Sequence, residues 1–311
     1  MSEDDLSLGV VGISEGNGHP YSFASIVNGY SADGFRESNW GVILEYLEER
    51  DPAEFGFADV EVTHAWTQDR AETDRLCAAA RIPHAVDDLT ELLAADLDGV
   101  LILRDDYESH LDLAQPFLDA GIPTFLDKPL TIDTNELAAF EPSLRSGQLM
   151  SCSGLRYARE LDEPRRALDA YGDLRVVRGA VLFDWPRYGV HVLEAILSTV
   201  DARPVAVRAT PANHAAIVIE TDAEYPIQID ALGESPPVFD VDIYGSKKAT
   251  RHQLSDNFQA FRRMLYHFIT SIRTGEPAIP PEETLTVLRT LIAGYRARES
   301  GERIELGSVR I

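Results

Sequence analysis

Cysteine is nearly absent from this chain of 311 residues: Cys77 and Cys152 are the only two. That excludes a disulfide scaffold and a four-thiolate metal site, and it points to a reducing cytoplasm. No run of about eighteen apolar residues occurs, so no spanning helix is expected. The opening MSEDDLSLG lacks the basic start and apolar core of a secretory signal. Internal repeats, low-complexity tracts and heptads are missing as well. Lysine is scarcer than its role in most surfaces would suggest: of 28 basic residues only Lys128, Lys247 and Lys248 are lysine, and 25 are arginine. Set against 52 acidic residues, these leave a net charge of −24. Such a surface repels phosphates and anionic lipid, which argues against nucleic-acid and membrane partners. It also suits concentrated salt, where self-repulsion is screened.

What is present reads as two domains, given about 100 to 200 residues per domain. The first half alternates short apolar runs with amphipathic stretches. Strands are expected at 8–13, 60–67, 99–103 and 124–126, and helices at 40–50, 70–81, 89–95 and 110–120. This order predicts an α/β fold with a doubly wound parallel sheet, a Rossmann domain over 1–128. Residues 129–150 are a linker with closing elements that can return to the first domain. From 151 to 311 the texture changes: strands at 175–183, 205–210, 215–220, 228–232 and 239–244 follow one another with a single helix, 189–200, among them. An α+β domain with a mostly antiparallel open sheet is expected, closed by helices at 258–274 and 281–300.

The first strand runs into Gly12-Ile13-Ser14-Glu15-Gly16-Asn17-Gly18, a Gly-rich turn before a helix. Such a turn lets backbone N–H groups approach a pyrophosphate. Its spacing departs from G-x-G-x-x-G: Ser14 stands where the second glycine belongs, and Glu15 adds a negative charge. A tight turn serving only the fold is the alternative. The second strand ends on Thr67 rather than a ribose-binding acid, with Asp69 and Arg70 just beyond. Thr67 and Arg70 could receive a 2′-phosphate, or Arg70 could simply open a solvated helix, so NAD and NADP both stay open as cofactor. The fourth strand delivers Asp127-Lys128-Pro129 to the carboxyl edge of the sheet, where ligands bind. An ammonium there can exchange a proton with a substrate oxygen.

These pieces together resemble the glucose-fructose oxidoreductase, inositol dehydrogenase and rhizopine-catabolism family. The resemblance rests on the Gly-rich first strand, Asp98-Gly99-Val100-Leu101-Ile102 with His110 after it, Ala120-Gly121-Ile122-Pro123, Asp127-Lys128-Pro129-Leu130, Gly189-Val190-His191-Val192-Leu193-Glu194, and Ile243-Tyr244-Gly245. It implies hydride transfer between NAD or NADP and a hydroxyl or keto group of a sugar, polyol or sugar acid. It also implies a homo-oligomer assembled through the C-terminal sheet. By matching position, Lys128 is the catalytic lysine and His191 the histidine that hydrogen-bonds the reacting hydroxyl. Asp127 replaces the usual glutamate, and a cis peptide is expected before Pro129. Arg104 and Asp105 correspond to the loop beside the nicotinamide ribose, while Arg156 and Tyr157 are expected to face the substrate. One departure stands out: the relay aspartate four residues before the histidine is here Arg187. Asp184, Glu194 or Tyr188 could assist instead, and Arg187 could clamp an acidic substrate or lie on the surface. His110 reads as a helix N-terminal residue, Cys152 as a small apolar filler, and no cluster has metal-ligand spacing. A non-catalytic binding protein of the same fold is the competing reading.

Overall fold

In the computed structural model of the protein, which describes residues 5–310, the chain divides into two compact units. The acidic opening falls partly on residues 1–4, outside the described residues. The first unit is the chain up to Asp127 together with Pro142–Ser151 and Leu265–Ala278. The second comprises Lys128–Glu141, Cys152–Met264 and Ile279–Ile311. Pro142–Ser151, in the stretch read as a linker with closing elements, clusters with the first unit. The stretch 265–278, read as part of the second domain, also clusters with the first, because Phe268 packs edge-on against Phe125, centroids 5.9 Å apart.

The first unit carries a six-stranded parallel sheet of β1 (Leu6–Val11), β2 (Val60–Trp66), β3 (His84–Ala85), β4 (Gly99–Ile102), β5 (Thr124–Leu126) and β6 (Leu149–Met150) in the order β3-β2-β1-β4-β5-β6. β1, β4 and β5 are buried almost throughout, as strands covered on both faces must be. The order reverses direction between β1 and β4, so the crevice beyond their carboxyl ends is where an open sheet of this kind takes its ligand.

The second unit holds a seven-stranded sheet, β12-β11-β7-β10-β9-β8-β13. Its strands are β7 (Leu174–Val181), β8 (Pro204–Thr210), β9 (Ala215–Thr221), β10 (Ile227–Ala231), β11 (Phe239–Gly245), β12 (Ala249–Gln253) and β13 (Ile304–Glu305). All pairings are antiparallel except β10 with β7. One face is apolar: Ile217, Ile219, Ile227, Ile229, Val241 and Ile243 are buried against the helix Val190–Leu197 and its neighbours. The other face is laced with arginine–carboxylate pairs such as Arg251–Asp242 and Arg303–Glu220. Before the helix, Trp185–Gly189 forms one wide π-helical turn, with Asp184 capping it by accepting from Arg187 N–H. No helix among the described residues is long and apolar enough to cross a membrane.

Candidate active site

In the first unit the chain leaves β1 through Gly12–Gly18 and enters the helix His19–Asn28. Gly16 has φ +78°, and nothing lies within 4 Å of the place its Cβ would occupy. At Gly12 and Gly18 packing is close: a Cβ would come 2.7 Å from Pro20 and 2.5 Å from Ile43. The turn is therefore open where a ligand approaches and tight where the helix must seat. That cradle, in front of a ten-residue helix, fits a diphosphate.

Side chains from three strand ends hold the turn. Gln68, after β2, grips the Ile13 peptide from both ends: its Oε1 accepts from Ile13 N–H at 2.8 Å and its Nε2 donates to Ile13 carbonyl at 2.7 Å. Arg104, after β4, donates from Nη1 to the same carbonyl and pairs twice with Asp106. Ser14 donates to Asp105 at 2.7 Å and accepts from Asp105 N–H. Asp127, after β5 and only 1% exposed, accepts from Asn17 Nδ2 at 2.8 Å and lies 2.6 Å from His19 Nδ1. Ser14, Asn17, Arg104, Asp105 and Asp127 converge on the turn. His19, Gln68 and Asp106 join them without having been singled out.

The adenine end is arranged differently. Thr67 is buried and its hydroxyl is engaged by Asp69 carbonyl and Thr73. Arg70 is half-exposed and pairs with Asp74 and Asp87 on the surface. Both sit at the end of β2, and both have structural partners already. His110 opens the helix His110–Asp119 with Nε2 2.8 Å from Arg104 carbonyl, which steadies that loop.

In the second unit, Lys128 is 4% exposed, and the Lys128–Pro129 peptide is cis, as the resemblance implied. Lys128 Nζ donates to Arg187 carbonyl at 3.3 Å and stands 5.3 Å from the centroid of Tyr188. The His191 ring is 5.8 Å from that same ring and 5.5 Å from Phe239. Lys128, Tyr188 and His191 are therefore one group, gathered by the π-helical turn and the helix after it. Arg187 lends this group its carbonyl, while its Nε pairs with Asp184. Asp184 is thus spent on Arg187.

Glu194, one turn beyond His191, is 2% exposed and accepts from Ser153 N–H at 2.7 Å. Burial pushes its carboxyl up to about 7, outweighing Arg156 and the Ser153 N–H, which favour the charge. Ser153 Oγ in turn lies 2.7 Å from His191 Nδ1. Arg156 bridges Glu194 and Glu283 and lines a cavity of about 590 Å³ with Ser198, Arg203 and Glu283. Its guanidinium is held between these two carboxylates. Tyr157 is largely buried, and that burial holds its phenol protonated. Cys152 is buried, and burial pushes the Cys77 thiol up to about 12, so Cys77 is not an activated nucleophile. Among the described residues no group of three His, Cys, Asp or Glu could hold a metal.

The strand order, the turn at its reversal and the second sheet define a two-unit protein with a dinucleotide-binding Rossmann fold. Residues 43–148 match the model of the oxidoreductase family with NAD-binding Rossmann fold that takes its name from Gfo, Idh and MocA. The apo scyllo-inositol dehydrogenase of Lactobacillus casei superposes with a TM-score of 0.77 at 14% identity, over 99% of this chain and 100% of that one. A D-xylose 1-dehydrogenase (NADP+) of Haloferax volcanii is 24% identical over 77% of this chain and 90% of its own length. A protein of Amycolatopsis mediterranei described as a UDP-kanosamine synthase oxidoreductase subunit is 32% identical over 39% of this chain, a match spanning only 33% of that relative.

Proposed function

We propose that the protein is an NAD(P)-dependent dehydrogenase acting on a hydroxyl or keto carbon of a sugar, polyol or sugar acid, with Lys128 as general acid/base and His191 orienting the reacting oxygen. The observation that carries this reading is that buried Lys128 and His191 stand on either side of the half-buried Tyr188 ring. An ammonium directly after β5, held on a backbone carbonyl beside an aromatic face, is a proton donor kept in one place. The relatives named for inositol and xylose oxidation support the substrate class. Gly12, Ser14, Gly16, Asn17 and Gly18 would hold the diphosphate, with Arg104, Asp105 and Asp127 fixing the turn. Thr67 and Arg70 would lie beside the adenine ribose, where the choice of NAD or NADP is made.

When bound, the nicotinamide supplies or accepts the hydride. Lys128 Nζ exchanges the proton of the substrate oxygen as the carbon–hydrogen bond is broken or made. His191 fixes the position of that oxygen, and Tyr188 closes the aromatic wall beside both. Arg187, whose Nε is held by Asp184, would be the partner of an acidic group on the substrate. The protein would work in the cytoplasm, in concentrated salt, as a homo-oligomer built through the second sheet. Titration with NADH and NADPH in high salt, followed by a coupled screen of sugars, polyols and sugar acids, tests the reading. Saturable binding of one cofactor and turnover of such a substrate support it; absence of binding by either up to millimolar concentration overturns it in favour of a binding protein.

A further inference from the structure

An imidazole offers either a donor or a lone pair at Nε2, and the group that faces Nδ1 decides which. Nδ1 of His191 faces Ser153 Oγ at 2.7 Å. Ser153 is fully enclosed, and its hydroxyl oxygen already accepts from Leu155 N–H at 3.1 Å, capping the short helix Gly154–Tyr157. The hydroxyl hydrogen still needs an acceptor. Among the described residues, His191 Nδ1 is the one acceptor within hydrogen-bonding distance of Ser153 Oγ. If Nδ1 carried a proton, two hydrogens would face each other across that gap, or the hydroxyl would turn into a space that gives it no acceptor.

The surroundings fix this geometry from several sides. His191 and Glu194 lie one turn apart on the same helix and hold residue 153 at two points: His191 at Oγ and Glu194 Oε2 at the backbone N–H. Arg156 Nη1 reaches Glu194 Oε1 at 3.5 Å. Phe239 meets the imidazole edge-on, and Tyr188 lies tilted against it. A carboxylate facing Nδ1 could only accept and would select the opposite tautomer. A serine whose oxygen is already occupied by an amide selects this one.

We propose that Ser153 donates its hydroxyl hydrogen to His191 Nδ1 and so holds the imidazole as the Nε2–H tautomer, which makes His191 a hydrogen-bond donor to the substrate oxygen and not its base. The proposal deepens the dehydrogenase reading and rests on it for the role of His191. Ser153 is a positioning residue, and so are Glu194 and Arg156 behind it. Proton exchange then falls to Lys128 alone, in a chain with Arg187 where the family relay carries an aspartate.

The test is nitrogen NMR of the full chain with labelled histidine, the His191 signals being assigned by their loss in His191→Asn. The expected spectrum has an unprotonated, pyridine-type Nδ1 and a protonated Nε2. Ser153→Ala is expected to mix the tautomers and lower turnover about tenfold, the loss of one buried hydrogen bond. Ser153→Thr, which keeps the hydroxyl, is expected to restore both. A wild-type spectrum with the proton on Nδ1 overturns the proposal, and so does an unchanged tautomer in a folded Ser153→Ala. Should Ser153→Ala not fold, the wild-type spectrum decides by itself. The spectrum needs neither cofactor nor substrate, so failure of the dehydrogenase reading leaves the tautomer assignment standing or falling separately.

Discussion

Replacing Lys128 with alanine removes the ammonium that stands beside Tyr188 while leaving the Gly-rich turn and its supports untouched. Turnover is expected to fall by about 10² to 10⁴, the usual contribution of a general acid/base. Cofactor affinity, read by fluorescence titration, should stay within about twofold of wild type. Lys128→Arg should be as inactive, because a guanidinium keeps its proton; an active Arg variant would remove proton exchange from Lys128. Arg187→Ala is expected to raise KM for a sugar acid far more than for a neutral sugar, and equal effects would discard the clamp.

Glu194 gives a stability signature. Its folded value of about 7 lies above the ordinary 4.5 of a glutamate, so the folded chain holds a proton that the unfolded chain has lost. Its contribution is fully present below about 4.5 and is lost as pH rises toward and through about 7. Glu194→Gln removes that dependence. The variant should therefore gain on the wild type by up to a few kcal/mol between those pH values, measured by denaturant unfolding at each pH. A constant difference would show that the carboxyl does not titrate there. Lys128 was legible in the sequence because the chain uses lysine so sparingly. Ser153 and His19 were not, since their partners lie 38 and 108 residues away and no spacing pattern links them.

At the scale of elements, the buried strands and long amphipathic helices were readable from their periods, and the helix Pro281–Ser300 has the bounds expected. Two-residue strands such as β3, β6 and β13 carry no period, and they exist because a neighbouring strand offers its edge. β12 was missed for another reason: Ala-Thr-Arg-His-Gln at a sheet edge has no buried residue to alternate with. The π-helical turn lies between the strand expected to end at 183 and the helix expected to start at 189, where no element was read, although Asp184 and Pro186 mark it in retrospect as a capped entry. Gly245, at the end of β11, exposes how tightly one such element is seated. A Cβ there would stand 2.2 Å from Tyr171 carbonyl oxygen and 2.8 Å from its Cβ. Backbone cannot yield as a flexible side chain does, so Gly245→Ala is expected to destabilise by about 2 kcal/mol or more. Gly41→Ala, at a position with nothing within 4 Å, is the control and should change unfolding little. Equal stabilities would mean that the turn before β7 can shift to make room.

For the whole molecule, the decisive quantity is the number of carboxylates that no base can neutralise. Pairing every one of the 28 basic residues with a carboxylate would still leave 24 of the 52 acids unmatched. Added salt weakens surface pairs such as Arg203–Asp222, each worth about 0 to 1 kcal/mol, and it also screens repulsion among the unmatched acids. The second effect should win, because every acid repels many others whereas each arginine attracts only its neighbours. Raising NaCl from about 0.1 to 1 M shortens the screening length from about 10 to 3 Å. The midpoint of thermal unfolding should rise by roughly 2 to 4 °C for each kcal/mol of repulsion relieved, then level off once screening is complete. Equimolar KCl should act like NaCl if screening is the cause. Uncharged sucrose, matched in water activity, should not reproduce the early rise. A midpoint that falls with salt would mean that the arginine pairs on the second sheet outweigh the excess charge. The lysine-poor, carboxylate-rich composition would then have no stabilising link to salt.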